Sequence, residues 1–226
     1  MNRRNTPAVA AGQRPPGRRQ GLALLLVPVL LAAAGCTAGA EEKESGPSGR
    51  QQAAANRPSP FQDCSALGAP PASAAPADLP AAPADAPALP ELTLNCFTGG
   101  APVALRDLRG PAVVNVWASW CPPCRKELPA FQRLSERAAG RLTVLGVNSQ
   151  DSRDAAQSIG EDFGIRFPVL VDQGESLKRE LNRKAIPLTV FVDGQGRVRH
   201  VDSSGALDDA RLGALVRQHL GVAVPA

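Results

Sequence analysis

The chain has 226 residues, of which 43% are hydrophobic and 20% charged, values that exclude a wholly disordered or wholly membrane-embedded protein. The formal net charge of +4 arises in residues 1–40, which hold five arginines and no acid, whereas residues 41–226 carry 20 basic and 21 acidic side chains. Because most of the chain is nearly neutral and has only six Phe, two Trp and no Tyr, composition argues against nucleic-acid binding.

The arginine-rich start leads into an uncharged apolar stretch at residues 22–34. Its 13 residues are too few for a membrane-spanning helix, which takes about 18 or more, and are typical of the hydrophobic part of an export signal. The letters AAGC, which end at Cys36, resemble a lipobox, although a lipobox prefers Leu where Ala33 stands. We therefore predict an export signal over residues 1–35 and lipidation of Cys36 on the outer face of the cytoplasmic membrane. Cleavage after Ala40 with secretion and an uncleaved anchor are the alternatives.

Two segments of biased composition follow. Residues 37–62 are rich in Glu, Lys, Ser, Gly, Gln and Ala and offer almost nothing to bury, which predicts a flexible tether over residues 36–63. Residues 68–90 hold ten Ala and seven Pro in 23 positions, a density that favours extended chain over helix. We expect an Ala/Pro-rich segment over residues 64–90 and a folded domain over residues 91–222, long enough for one hydrophobic core.

Strands and helices are predicted to alternate within this domain. Residues 111–118 form a nearly continuous apolar run, as in a central strand that is buried on both faces. Ala155, Ile159 and Phe163 recur at the spacing of a helix face. The order predicts a mixed α/β sheet flanked by helices. In chain order, the predicted elements are strands at 92–96, 102–105 and 111–118, a helix at 122–139, a strand at 142–147, a helix that begins at Asp151 or Ser152, a strand at 167–171, a short helix at 175–182, a hairpin at 188–192 and 197–201, and a helix at 208–220.

Five cysteines in an exported chain leave one unpaired if the others form disulfides, and lipidation of Cys36 accounts for that one. Cys64 and Cys96 flank the Ala/Pro-rich segment. In an oxidising compartment we expect a structural disulfide between them that pins this segment onto the domain. The alternative is that Cys64 is a free thiol in a tail.

The remaining pair, Cys121 and Cys124, lies in the letters WCPPC between a predicted buried strand and the first turn of a helix. Unsatisfied N–H groups and the positive end of the helix dipole favour the thiolate of Cys121, the form that attacks disulfides. Cys124, one turn inward, is suited to resolve a mixed disulfide. Half of a zinc site is the alternative, but the sequence has no second such pair to complete it. A copper carrier using both cysteines and His200 is another, although we assign His200 to a hairpin and His219 to the last helical turn.

The letters VNVWASWCPPCRKELP at residues 114–129 resemble the active-site stretch of the TlpA/ResA-like thiol–disulfide oxidoreductases, in the thioredoxin superfamily with redoxin or AhpC/TSA-type domains. The resemblance implies a thioredoxin-like mixed central sheet with an N-terminal hairpin and an inserted helix–strand unit at residues 151–171. It also implies that Ile186 and Pro187 form the cis-proline loop that binds the substrate chain. Trp120 is expected to shape the same groove, and neither a cofactor nor a metal is expected.

Two further positions bear on proton transfer. Asn115 stands where cytoplasmic thioredoxins carry a buried acid near the second cysteine, so that acid is absent here. Glu127 lies three residues beyond Cys124 on the same predicted helix, where the resembled family also carries an acid. We hypothesise that Glu127 relays the proton of Cys124. The alternative is a solvated surface charge beside Arg125 and Lys126.

These features predict an extracytoplasmic protein disulfide oxidoreductase. Cys121 forms a mixed disulfide with a partner protein and Cys124 resolves it. By resemblance, the partners are envelope protein thiols or disulfides, including those of apocytochrome c during cytochrome c maturation, and a membrane thiol carrier supplies electrons. The two prolines between the cysteines do not fix the direction of electron flow, and both a reductase and an oxidase are compatible with the sequence. A peroxiredoxin-type thiol peroxidase is an alternative, but the Pro-x-x-x-Thr/Ser-x-x-Cys frame is absent, because Val114 and Ala118 stand at its Pro and Thr positions.

Overall fold

The computed structural model of the chain describes residues 57–69, 86–138 and 140–224. The predicted export signal, Cys36, most of the tether and much of the Ala/Pro-rich segment lie outside these residues. No helix within the described ranges is long and apolar enough to cross a membrane.

Seven strands and four α-helices form within the described residues, close to the predicted positions. The strands are β1 (Thr93–Cys96), β2 (Val103–Ala104), β3 (Ala112–Trp117), β4 (Thr143–Ser149), β5 (Val169–Asp172), β6 (Leu188–Val192) and β7 (Val198–Asp202). The α-helices are α1 (Pro122–Ala138), α2 (Arg153–Asp162), α3 (Ser176–Glu180) and α4 (Asp209–Leu220), with short 3-10 helices at Ser65–Gly68 and Leu105–Asp107.

The seven strands form one sheet in the order β2-β1-β5-β4-β3-β6-β7. β3, β4 and β5 are parallel, and the remaining pairings are antiparallel. The predicted mixed α/β fold is therefore confirmed. The β1–β2 hairpin lies at one edge and the β6–β7 hairpin at the other, while the inserted unit, α2 and β5, places β5 between β4 and β1.

β3 lies at the centre of the core, and all six of its residues are buried. Val113 and Trp117 belong to one hydrophobic cluster and Val114 and Val116 to another, because side chains alternate across a strand. The first cluster is completed by the buried faces of α1, α2 and α4, and the second by α3 and the chain before β1. β3, which ends just before WCPPC, is therefore held by both hydrophobic clusters and fixes the start of this motif.

Side-chain caps and a terminal glycine define the ends of α2 and α4. Ser152 is the N-cap of α2, and its side chain accepts a hydrogen bond from the N–H of Ala155. Asp208 caps α4 in the same way, through the N–H of Arg211. Gly221 ends α4 in the left-handed conformation, with φ of 63°.

The buried face of α2 differs from the predicted one. Ile159 is buried, but Ala156 and Gly160 accompany it, and Ala155 is only half-buried. The physical reason is that Phe61 packs on this face. A Cβ added to Gly160 would lie 2.6 Å from the Phe61 ring, so the missing side chain makes room for the aromatic group.

The predicted tether over residues 36–63 extends too far along the chain, because Phe61 is only 5% exposed. Its ring packs edge-on against Phe97 and Trp117, with centroids 4.8 and 6.3 Å away. Next to it, the N–H of Gln62 donates to the carbonyl of Arg166 over 2.8 Å. The segment is polar on average but contains one large aromatic side chain. Burial of the Phe61 ring contributes about 1.5–3 kcal/mol to folding.

A disulfide joins Cys64 to Cys96, whose Cα atoms are 6.0 Å apart. Cys96 is the last residue of β1, so the bond holds the first 3-10 helix against the sheet. At the far end of the Ala/Pro-rich segment, the carbonyl of Pro87 accepts a hydrogen bond from the N–H of Val198, and Leu89 is 2% exposed. The folded unit therefore includes residues before the predicted start at 91, because this segment pairs with β7.

Candidate active site

Cys121 and Cys124 form a disulfide at the N-terminal end of α1, with Cα atoms 5.3 Å apart. Both are buried, Cys121 at 3% exposure and Cys124 at 0%. The N–H of Cys124 donates to the Sγ of Cys121 over 3.2 Å. The first-turn N–H group is thus directed at the sulfur that would carry negative charge after reduction, which favours a thiolate on Cys121.

The two tryptophans near the disulfide lie in opposite environments. Trp117 is completely buried in the core. Trp120, which directly precedes Cys121, is 56% exposed and is the only exposed large hydrophobic side chain among the described residues. Its indole N–H donates to the carbonyl of Gln150 over 2.9 Å. The indole is therefore held in place beside the disulfide while most of its surface faces solvent.

The Ile186–Pro187 peptide bond is cis and comes directly before β6. Leu188 of β6 is paired with Val116 of β3. This register places Pro187 at the same end of the sheet as the turn that leads from β3 to Cys121. Ile186 is half-buried and packs against both hydrophobic clusters.

Glu127 is completely buried on the inner side of α1. Its Oε1 accepts a hydrogen bond from the Asn115 amide over 2.6 Å, and its Oε2 accepts one from the N–H of Leu207 over 3.0 Å. Burial raises the pKa of Glu127 to about 7, against the lowering effect of the two hydrogen bonds and with a further rise from the charge of Asp202. A carboxyl with this pKa can both take and give a proton near neutral pH.

The alternative interpretation of Glu127 as a solvated surface charge is wrong. Arg125 and Lys126 lie on the outer side of α1, whereas Glu127 points inward to β3. The sequence also did not predict that Asn115 would contact this acid. One signal was available, since a polar residue in the middle of a continuous apolar strand needs a buried partner.

His200 and His219, which are distant in sequence, stack with ring centroids 4.1 Å apart. The pKa of His219 is lowered by burial and by the positive charges of His200, Arg199 and Arg211. In the described part of the chain, no three His, Cys, Asp or Glu side chains are grouped so that they could hold a metal. The copper arrangement that would join His200 to the cysteine pair is therefore not formed by the described residues.

Residues 86–201, about half of the chain, match the sequence profile of the AhpC/TSA family. The chain belongs to the AhpC/TSA family. Among its named relatives in this comparison is the thiol:disulfide interchange protein DsbE of Pseudomonas fluorescens biotype C, 33% identical over 126 residues that cover 55% of this chain and 68% of that protein. The thiol-disulfide oxidoreductase ResA of Bacillus subtilis is 31% identical over 104 residues, covering 45% and 58%. The chain thus spans about three fifths of the length of the ResA proteins that it matches.

Solved structures of thioredoxin-family proteins are similar to this fold. A thiol:disulfide interchange protein of the thioredoxin family from Chlorobium tepidum has a TM-score of 0.53 and 27% identity, covering 62% of this chain and 100% of that one. The predicted resemblance to ResA-like proteins of the thioredoxin superfamily is therefore confirmed. Several proteins to which this AhpC/TSA chain is similar are named thiol–disulfide oxidoreductases or thiol:disulfide interchange proteins.

Proposed function

We propose that the protein is an extracytoplasmic thiol–disulfide oxidoreductase that reduces disulfides of envelope proteins through Cys121 and Cys124. The observation that carries the proposal is the hydrogen bond from the Cys124 N–H to the Cys121 sulfur at the start of α1. It gives Cys121 the environment of a nucleophilic thiolate, while Cys124 is completely buried and held beside it.

In the proposed cycle, the Cys121 thiolate attacks one sulfur of a partner disulfide, and the other partner sulfur leaves as a thiolate. The Cys124 thiol then loses its proton and attacks the Cys121 sulfur, which releases the second partner sulfur and closes the Cys121–Cys124 disulfide. Two electrons have passed to the partner. A dithiol carrier in the membrane returns two electrons by the same exchange, and apocytochrome c cysteines are one proposed substrate.

Glu127 is proposed to take the proton that Cys124 loses. Its pKa of about 7 matches it to a thiol that must ionise near neutral pH, and it lies on the same helix three residues further along. Trp120 and the Ile186–Pro187 loop are proposed to bind the partner chain, since they lie at the same end of the sheet as Cys121.

Trapping of the mixed disulfide tests the central proposal. Cys124→Ser leaves Cys121 able to attack and removes the resolving thiol, so we expect it to accumulate covalent adducts with a disulfide-containing protein. Cys121→Ser is the matched control and should trap nothing. Equal trapping by both variants, or by neither, contradicts the proposal. Catalytic peroxide consumption by the parent protein with dithiothreitol as the electron donor, above the rate of dithiothreitol alone, would instead support the peroxidase alternative.

Export and lipidation form a separate proposal, supported by the apolar stretch that ends at Cys36. Acylation of Cys36 should bring the protein into the membrane fraction, and Cys36→Ala should release it or leave the precursor unprocessed. Cys64 pairs with Cys96 and Cys121 with Cys124, so this variant should keep its exchange activity. A parent protein found only in the soluble fraction would favour secretion after cleavage at Ala40.

A further inference from the structure

The turn that follows β4 holds the residues that immediately precede Cys121. The carboxylate of Asp151 accepts hydrogen bonds from both the N–H and the hydroxyl of Ser119, each over 2.6 Å. The indole of Trp120 is bound by the carbonyl of Gln150. Gln150 and Asp151, consecutive residues of this turn, thus bind Trp120 and Ser119. We call these two residues before Cys121 the active-site loop.

Asp151 is suited to this contact because its carboxylate is saturated by donors. Its Oδ1 accepts from the Ser119 hydroxyl and, over 2.9 Å, from the N–H of Ser152. Its Oδ2 accepts from the Ser119 N–H and, over 2.9 Å, from the amide of Asn148. Four donors meet four acceptor positions, and only an ionised carboxylate offers four. The residue is 8% exposed, so most of these bonds are shielded from water.

The turn itself is fixed from the other side. Gln150 has φ of 49°, a left-handed conformation that is costly for a residue other than glycine and persists only where neighbouring contacts maintain it. The side chain of Gln173 donates to the Asp151 carbonyl over 2.8 Å, and the N–H of Gln150 donates to the carbonyl of Asp172. The turn is therefore anchored to the end of β5 and is a rigid support for the loop.

We propose that Asp151 is a positioning residue for disulfide exchange with protein partners. It fixes Ser119, and through it Trp120, so that the exposed indole forms a preorganised surface against which the partner chain lies while Cys121 attacks. This inference rests on the proposed function of the Cys121–Cys124 pair and adds a residue that acts through the loop, without touching the reacting sulfurs.

The inference predicts a split between large and small substrates. The thiolate of Cys121 is stabilised by α1, whereas the carboxylate of Asp151 binds Ser119 in the loop before that helix, so a small disulfide such as cystamine should react almost normally when Asp151 is changed. A protein disulfide such as that of insulin needs the indole surface as well. In Asp151→Asn, an amide NH2 group replaces one carboxylate oxygen. This group faces two other donors, either those of Ser119 and Ser152 or those of Ser119 and Asn148, and the loop before Cys121 is released.

The experiment measures the second-order rate constant with which the pre-reduced protein, one Cys121/Cys124 dithiol per molecule, reduces insulin and cystamine in a single turnover, in four variants. Asp151→Asn should lower the insulin value about tenfold or more and the cystamine value no more than about twofold. Ser119→Ala removes only the hydroxyl bond and should lower the insulin value less. Asp154→Asn, which changes an exposed acid in the first turn of α2, three residues after Asp151, controls for the loss of charge and should match the parent protein. The double variant of Ser119 and Asp151 should lose less than the sum of the single losses, because both residues belong to one contact.

Near-ultraviolet circular dichroism establishes that each variant is folded at the assay temperature. If Asp151→Asn does not fold, Ser119→Ala carries the test, and an unchanged insulin-to-cystamine ratio overturns the inference. Equal loss on both substrates in folded Asp151→Asn also overturns it. A parent protein that reduces neither substrate contradicts the proposed function itself, which is a distinguishable result.

Discussion

Asn115 on β3 donates a 2.6 Å hydrogen bond to Glu127 on α1, in the interior of the protein. The amide oxygen of the same asparagine, within the described part of the chain, has no hydrogen-bond partner. If the amide turns over, this oxygen can accept a hydrogen from protonated Glu127. Asn115 can therefore bind Glu127 in either protonation state, as the proposed exchange of protons by Glu127 requires.

The first prediction concerns stability against pH. The pKa of Glu127 is about 7 in the folded chain and near 4.5 when it is exposed, so between these values the folded state holds a proton that the unfolded state has lost. The contribution of Glu127 is present in full below pH 4.5 and is lost as pH rises through 7, a change on the order of 3 kcal/mol. Urea denaturation at several pH values measures it.

Glu127→Gln, a mimic of the protonated acid, should flatten this part of the pH profile and be more stable than the parent protein at pH 8. Glu136→Gln, an exposed acid on the same helix, is the control and should keep the parental slope. A slope in Glu127→Gln equal to that of the parent contradicts the raised pKa.

The second prediction concerns the proposed proton relay. In Glu127→Gln, resolution of a mixed disulfide by Cys124 should slow by about tenfold or more, because no base accepts the thiol proton. The inflection near pH 7 in the rate should disappear. Stopped-flow measurement of partner release from a preformed adduct provides the test. An unchanged rate and pH profile would exclude Glu127 from proton transfer.

A third prediction concerns the Cys64–Cys96 bond. The cysteines are 32 positions apart, and closing a loop of this size contributes about 3–4 kcal/mol in the chain-entropy model. Replacing both by serine should lower the free energy of unfolding by about that amount. Replacing Cys121 and Cys124, which close a far shorter loop, should cost less by about 2 kcal/mol. Equal costs for the two pairs would contradict this role of the long loop.

The fourth prediction reverses the usual effect of alanine in a helix. Gly160→Ala should destabilise the protein by about 1–3 kcal/mol, since the new Cβ would lie 2.6 Å from the Phe61 ring and 2.8 Å from Pro60. Gly213→Ala in α4 is the matched control, with only the end of Arg217 nearby at 3.9 Å, and should stabilise by about 0.5–1 kcal/mol. Thermal unfolding distinguishes the two signs. In a Phe61→Ala background, Gly160→Ala should lose the part of its cost that comes from the ring and keep the part that comes from Pro60.

The sequence was sufficient for the elements whose signals are local. The apolar run of β3, the cap at Asp208 and the terminal glycine of α4 each depend on neighbouring residues, and the structure contains all three. The cysteine pair had a local signal, but Pro187 was added by family resemblance, since the two reach the same end of the sheet only through the pairing of β3 with β6.

The contacts that were missed join residues distant in the chain. Asp151 was expected at most to cap α2, but its side chain binds Ser119, 32 positions earlier. Phe61 was assigned to a tether on the basis of its neighbours, although its packing site is created by Gly160 about a hundred residues later. Neither partner carries a local signal of the other, so sequence pattern alone had no means to connect them.

Under the proposed lipidation of Cys36, the burial of Phe61 also limits how far the folded domain can lie from the bilayer. Phe61 is the first buried side chain of the described residues. With the proposed acyl chain on Cys36, the 25 intervening peptide units can span at most about 90 Å when fully extended. The protein must therefore reach its substrates and electron donors within this distance of the bilayer. Shortening the tether should first exclude the larger substrates and donors.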